Sequence, residues 1–138
     1  MSINVALGKI LVIEDNRDSR DILAKLLRMS GYDVMSANDG EAGLAAALQQ
    51  NPDLIITDIH MPNMNGIEFV QRVRNDQTLD KVPVLVVTAF GAQVAREAVN
   101  AGADAAAEKP FDFDRFLLTV EELIGRGRTA TRPMKPAH

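Results

Sequence analysis

Four points along this chain carry side chains that could do chemistry together: Glu14-Asp15, Asp58, Thr88 and Lys109. Asp15, Asp58, Thr88 and Lys109 are separated by 43, 30 and 21 positions, so only a fold can gather them. Gathered carboxylates call for a cation, because unit charges ~4 Å apart repel by about 4 kcal/mol at an effective dielectric near 20. A hard divalent ion with oxygen ligands and retained waters relieves that repulsion, and Mg2+ suits a site that must also hold a phosphate. A carboxylate beside such an ion can attack phosphorus and become an aspartyl phosphate, which is the role open to Asp58. The charge developing on the phosphoryl oxygens then needs a fixed cation and a hydroxyl, available from Lys109 and Thr88. Each residue also has a plain reading. Glu14-Asp15 suits a helix start, Thr88 is an ordinary β-branched strand residue, and Lys109 could be a solvated surface lysine. Their joint placement favours chemistry.

The elements that must position them alternate strictly. Lys9–Ile13 is an apolar run that stops at Glu14-Asp15. A helix follows with its stripe at Ile22, Leu23, Leu26 and Leu27, ending at Ser30-Gly31. Asp33–Ala37 is a weaker strand, and Asp39 caps a helix through Gln50 packed on Leu44, Ala45 and Leu48. Leu54–Thr57 is a buried-type strand ending at Asp58. The Pro, Asn and Gly content of His60–Gly66 predicts a loop, followed by a helix through about Arg74 with Phe69, Val70 and Val73 inward. Val84–Thr88 is the fourth strand, entered by Pro83, and Ala92–Ala101 is a helix closed by Gly102. Asp104–Glu108 must be the fifth strand despite the poor β-propensity of Ala105-Ala106-Ala107. The last helix, about Asp112–Ile124, has its stripe at Phe113, Phe116, Leu117, Val120 and Ile124, with Gly125 as its stop.

Such βα alternation with near-continuous apolar strands predicts an α/β fold: a flavodoxin-like, doubly wound, five-stranded parallel sheet with helices on both faces. The expected strand order is 2-1-3-4-5, with the site beyond the carboxyl ends of the strands at the switch point. Strand 1 then delivers Glu14-Asp15, strand 3 Asp58, strand 4 Thr88, and strand 5 runs into Lys109-Pro110. On local physics the Lys109-Pro110 bond reads as trans, since only about 5–6% of X-Pro bonds in folded proteins are cis.

Bulk composition narrows the class. The 138 residues suit one domain; 46% are apolar and 25% charged, as in a globular protein. No apolar run approaches the ~20 residues of a membrane span, and Met1–Gly8 does not read as a signal peptide. Cys is absent, which excludes disulfides and thiolate metal sites. A cytoplasmic location is the simplest expectation. Residues 126–138 hold Arg126, Arg128, Arg132 and Lys135 and no acid, so the body, residues 1–125, carries a balance of −8. That acidity argues against a nucleic-acid face, and the basic, Pro-containing tail reads as disordered.

Val12-Ile13-Glu14-Asp15-Asn16, Asp58-Ile59-His60-Met61-Pro62, Val87-Thr88-Ala89 and Glu108-Lys109-Pro110-Phe111 resemble, in order and separation, the response-regulator receiver family of two-component signalling. The resemblance spans about residues 8–125. It implies Asp58 as phosphoacceptor, Glu14 and Asp15 as the acidic Mg2+ pair, and the His60 backbone carbonyl as a further protein ligand of the metal. It likewise implies Thr88 as switch hydroxyl, Lys109 as the family's lysine, and a cis Lys109-Pro110 bond, against the local expectation. The implied partners are a sensor histidine kinase or a histidine phosphotransfer protein, a downstream protein target, and a phosphorylation-dependent second copy, with no direct nucleic acid and no membrane. The implied module is a signalling receiver rather than an enzyme, one that assists its own phosphorylation and dephosphorylation.

One position departs from the pattern. The family usually has Tyr or Phe three residues before the lysine, where this chain has Ala106. The usual inward movement of that aromatic is therefore absent, and Phe90, two after Thr88, is a candidate substitute. As variable positions flanking the phosphoryl site, His60 and Phe90 are expected to influence phosphate lifetime. With only some 13 residues after the last helix, the expected output is protein contact, either as a free-standing receiver or as a relay intermediate. A receiver excised from a longer regulator and a pseudo-receiver working without phosphorylation are the alternatives. A haloacid-dehalogenase-like phosphohydrolase fits poorly, since its nucleophile belongs on the first strand with a second Asp two residues on, where this chain has His60.

Overall fold

The computed structural model describes residues 6–126. Five strands and five helices alternate: β1 (Lys9–Ile13), α1 (Arg17–Met29), β2 (Asp33–Ala37), α2 (Gly40–Gln50), β3 (Leu54–Asp58), α3 (Gly66–Asn75), β4 (Val84–Thr88), α4 (Ala92–Ala101), β5 (Ala105–Glu108) and α5 (Phe113–Arg126). The strands form one sheet of order β2-β1-β3-β4-β5, every pair parallel, as the alternation predicted. Side chains alternate across a strand, so each strand feeds two cores. Ile10 and Val12 join Leu54, Ile56, Leu85 and Val87 beneath α1 and α5. Leu11, Ile13, Ile55, Val84 and Val86 face the opposite way, against α2, α3 and α4.

Side-chain caps account for the starts of α1, α2 and α3. Asn16, Asp39 and Asn65 each accept a hydrogen bond from the backbone N–H three residues on, satisfying a donor that the first turn leaves free. The cap of α1 is therefore Asn16, and Glu14-Asp15 stands just outside it, free for another task.

Two helical faces and one helix end differ from expectation. In α2 the buried residues are Gly40, Gly43 and Ala47, while Ala45 and Leu48 are exposed. The reason is distance: a Cβ on Gly43 would collide with the Ile13 side chain of β1 and one on Gly40 would fall 2.7 Å from the Met64 sulfur, so the glycines face inward, with Leu44 packed on the core only in part. In α1 the buried residues are Ala24 and Leu27, and Ile22 is 61% exposed. In α5 the helix passes Gly125 and ends at Arg126, whose guanidinium reaches Glu122 at 2.8 Å. A glycine in a helix costs about 1 kcal/mol against Ala but does not forbid continuation, and the cation suits the carboxyl end of the helix. Arg126 thus belongs to α5; the remaining tail, 127–138, lies outside the described residues. No described helix is long and apolar enough to cross a membrane.

Candidate functional site

Backbone hydrogen bonds continue past the strand ends and fix the groups that follow. Glu14 N–H donates to Ala37 O (3.1 Å), Ile59 N–H to Val87 O (3.1 Å) and Lys109 N–H to Thr88 O (2.7 Å). Glu14, Asp58 and Lys109 are thereby tied to neighbouring strands at the carboxyl edge of β1, β3 and β5. The Lys109-Pro110 bond is cis, which overturns the local expectation and agrees with the family resemblance.

Lys109 Nζ sits between two acids, 3.1 Å from Glu14 Oε1 and 3.2 Å from Asp58 Oδ2. The other oxygens are also engaged. Glu14 Oε2 accepts from Asn16 N–H at 3.2 Å, and Asp58 Oδ1 accepts from His60 N–H at 3.3 Å. One carboxylate oxygen from each of Glu14, Asp15 and Asp58 lies within 4.8 Å of the others. Glu14 is buried and Asp15 exposed, so the cluster has a dry side and an open side.

Burial pushes the Glu14 carboxyl above its ordinary value of 4.5; the Asn16 N–H and the Lys109 ammonium pull it down, and the Asp58 charge pushes it up again. Burial alone would lower the Lys109 ammonium, but its hydrogen bond to Glu14 and the charges of Asp58 and Glu14 outweigh that, leaving it above 10.5. The two shifts differ in their leading cause: burial raises Glu14, whereas at Lys109 the paired acids outweigh burial. A carboxyl whose folded pKa is raised contributes stability below its unfolded pKa, and that stability is lost as pH rises through the folded value. Ionised Glu14 therefore burdens the metal-free fold at neutral pH. Glu14→Gln is expected to raise Tm by a few degrees at pH 7 in EDTA, with the gain vanishing below pH ~4. With saturating Mg2+ the order should reverse, because the parent then gains binding free energy that the variant lacks. Thermal denaturation under the three conditions checks both signs.

The donor set fits a hard divalent cation: three carboxylates converge, with Asp15 on the solvent side. Thr88 is the predicted site residue that the structure gives another partner. Its side chain is fully buried and its Oγ1 accepts from Phe90 N–H at 3.0 Å. The His60 ring lies outside the carboxylates and packs on Phe90, centroids 4.0 Å apart.

Two features escaped the sequence. At Gly66 an added Cβ would meet Asp58 O at 2.5 Å and Ile59 Cα at 2.8 Å, so only glycine lets α3 begin against the end of β3 that carries Asp58. Its place after Pro62 and Asn65 signalled a turn, but not this close approach. Beside Asp58 and Lys109 opens an apolar groove of about 600 Å3 lined by Ile22, Leu23, Leu26, Phe111 and Phe113. Ile22 and Leu26 looked like core, and only docking of α1 on the sheet decides that they line a surface.

An open doubly wound sheet with carboxylates and a lysine at its switch point defines an α/β protein with an acidic pocket at that edge. The family model of the response regulator receiver domain matches residues 10–121, and the chain belongs to that family. It is a receiver domain of a response regulator in two-component signalling. It is 31% identical over 117 residues to the polar-differentiation response regulator DivK of Brucella ovis, covering 84% of this chain and 95% of that one. It is 40% identical over 119 residues to the DNA-binding dual master transcriptional regulator RpaA of Synechocystis, covering 86% of this chain but only 49% of that relative, about half its length. Among solved structures, the chemotaxis response regulator CheY4 of Vibrio cholerae superposes with a TM-score of 0.79 at 32% identity, over 86% of this chain and 99% of that one.

Proposed function

We propose that this receiver accepts a phosphoryl group on Asp58 in the presence of Mg2+ and passes the signal on by protein contact. The observation that carries the reading is Asp58 Oδ2 held 3.2 Å from Lys109 Nζ inside a cluster of three carboxylates. An Asp58 oxygen attacks phosphorus and forms an O–P bond as the donor's bond to phosphorus breaks; the electron pair leaves with the donor. Lys109 neutralises charge on the transferred group, and the Thr88 hydroxyl donates to it once it turns into the site. Glu14, Asp15, Asp58 and the His60 carbonyl would hold Mg2+, which when bound supplies the remaining neutralisation.

The donor is a sensor histidine kinase or a histidine phosphotransfer protein, since its imidazole must reach Asp58 and its surface must cover what surrounds that residue. The groove of Ile22, Leu23, Leu26, Phe111 and Phe113 opens there and offers the apolar contact such docking needs. A cytoplasmic location, a downstream protein target and a phosphorylation-dependent dimer complete the reading, with direct nucleic-acid binding disfavoured by the acidic body. Coverage of 95% of DivK but 49% of RpaA suits both a free-standing receiver and the receiver of a longer regulator.

The test is incubation with Mg2+ and acetyl phosphate, followed by intact mass and peptide mapping. One phosphoryl group, acid-stable and base-labile, should appear on the peptide containing Asp58. No gain, or a gain mapped elsewhere, overturns the reading.

A further inference from the structure

We infer that phosphorylation is reported to the surface through Phe90 and the β4–α4 loop, and not through β5; this rests on Asp58 being the phosphoacceptor. Thr88 lies two residues beyond Val86 on β4, and Val86 pairs with Ala106. Side chains two apart share a sheet face, so Ala106 and Thr88 look onto the same core. A methyl group has no rotamers to exchange. Nothing at position 106 can therefore swing between two arrangements as Thr88 moves.

Phe90, by contrast, touches the site from two sides. Its N–H donates to Thr88 Oγ1 at 3.0 Å, and its ring packs on His60 with centroids 4.0 Å apart and planes at 41°. His60 in turn donates its N–H to Asp58 Oδ1 at 3.3 Å. The Thr88 oxygen that would donate to a phosphoryl group on Asp58 is the same atom that accepts the Phe90 N–H, so any displacement of Oγ1 toward the phosphate strains this bond. A phosphoryl group on one Asp58 oxygen also removes the carboxylate's charge, which weakens the His60 N–H bond to Asp58 Oδ1 on the other side of the same contact. The two events act on one residue.

The loop is built to yield. Gly91 has φ +93°, and a Cβ there would meet nothing within 4 Å. It is the N-cap of α4 without a side-chain cap, and Ala98 is the one buried residue of that helix. Phe90 itself is 62% exposed, so its displacement alters a large apolar feature of the surface.

Hydrogen exchange on the full 15N-labelled chain tests this, with Mg2+ present and excess acetyl phosphate added or withheld, and phosphoryl occupancy read by intact mass. On phosphorylation the Phe90 amide should exchange about fivefold faster or more, the factor one hydrogen bond is worth. The ring signals of His60 and Phe90 should shift, and Ala105–Ala107 amides should keep their rates. Compared at matched phosphoryl occupancy, read by intact mass, the parent should show shifted amide signals in residues 92–95 on phosphorylation and Phe90→Leu should not. Full occupancy with an unchanged Phe90 amide, or with the largest change in Ala105–Ala107, overturns the inference while leaving the phosphoacceptor intact. Absence of any mass gain overturns both.

Discussion

Asp58→Asn is expected to abolish phosphoryl uptake, lowering the initial rate at least ~10³-fold, with little change in stability. The amide has nearly the volume of the carboxylate, and its oxygen can still accept the His60 N–H now donated to Asp58 Oδ1 at 3.3 Å. It is a neutral group and a poor nucleophile, so the O–P bond does not form. Electrostatics work in both directions. Lys109 loses one of its two anionic partners, but Glu14 loses the like charge that helps raise its pKa. These effects offset, so a folded protein with unchanged Tm within a few degrees is the expected background. Divalent-ion affinity should fall as well, because one of three converging carboxylates is gone. Intact mass against time, with a parallel Mg2+ titration, measures both. Undiminished uptake by the variant would place the nucleophile on another acid.

The second large effect is on stability and lies far from the acidic pocket. Asp104→Ala is expected to cost ~3–5 kcal/mol. Asp104 Oδ2 accepts from Arg74 Nη2 at 2.7 Å and from Val84 N–H at 2.8 Å, with the two side chains only 13% and 6% exposed. Arg74 also donates to Gly102 O (2.9 Å), Val82 O (2.8 Å) and Asp80 O (3.2 Å). One guanidinium thus ties the end of α3 to the connection into β4 and to the turn between α4 and β5. Removing the carboxylate takes a close counter-charge from a nearly buried cation and withdraws an acceptor from the Val84 N–H, and both penalties fall on the folded state. Urea denaturation should show a lower midpoint at unchanged m-value. A loss under 1 kcal/mol would mean that water replaces the carboxylate at little cost.

Neither effect is equally visible in the sequence. Asp58 stands at the end of a run, Leu54–Thr57, whose burial pattern is complete, and a parallel sheet must place such ends along one edge. Arg74 and Asp104 carry no such sign. They are 30 residues apart, in a helix end and a turn, and each reads as an ordinary surface charge until packing removes the water. The same holds for α2. Leu44, Ala45 and Leu48 have the right spacing for a buried stripe, and Leu44 does pack on the core in part, but the helix approaches the sheet so closely that its glycines face inward and Ala45 and Leu48 are exposed. Hydrophobic periodicity reports which residues prefer burial; it does not report how near a neighbour will come.

The acidic pocket divides along that line. The chain alone determined that Glu14, Asp15, Asp58, Thr88 and Lys109 sit at strand ends, because apolar runs and their breaks are local properties, and that the strands run parallel in the order 2-1-3-4-5. Tertiary structure decided what those residues hold. Lys109 bridges Glu14 and Asp58, Asn16 instead of the acids caps α1, and the Thr88 hydroxyl rests on Phe90. These are choices among partners a few ångströms apart. Hydrogen-bond and charge energies fall off over that distance, so the outcome depends on packing that no single segment of the chain encodes.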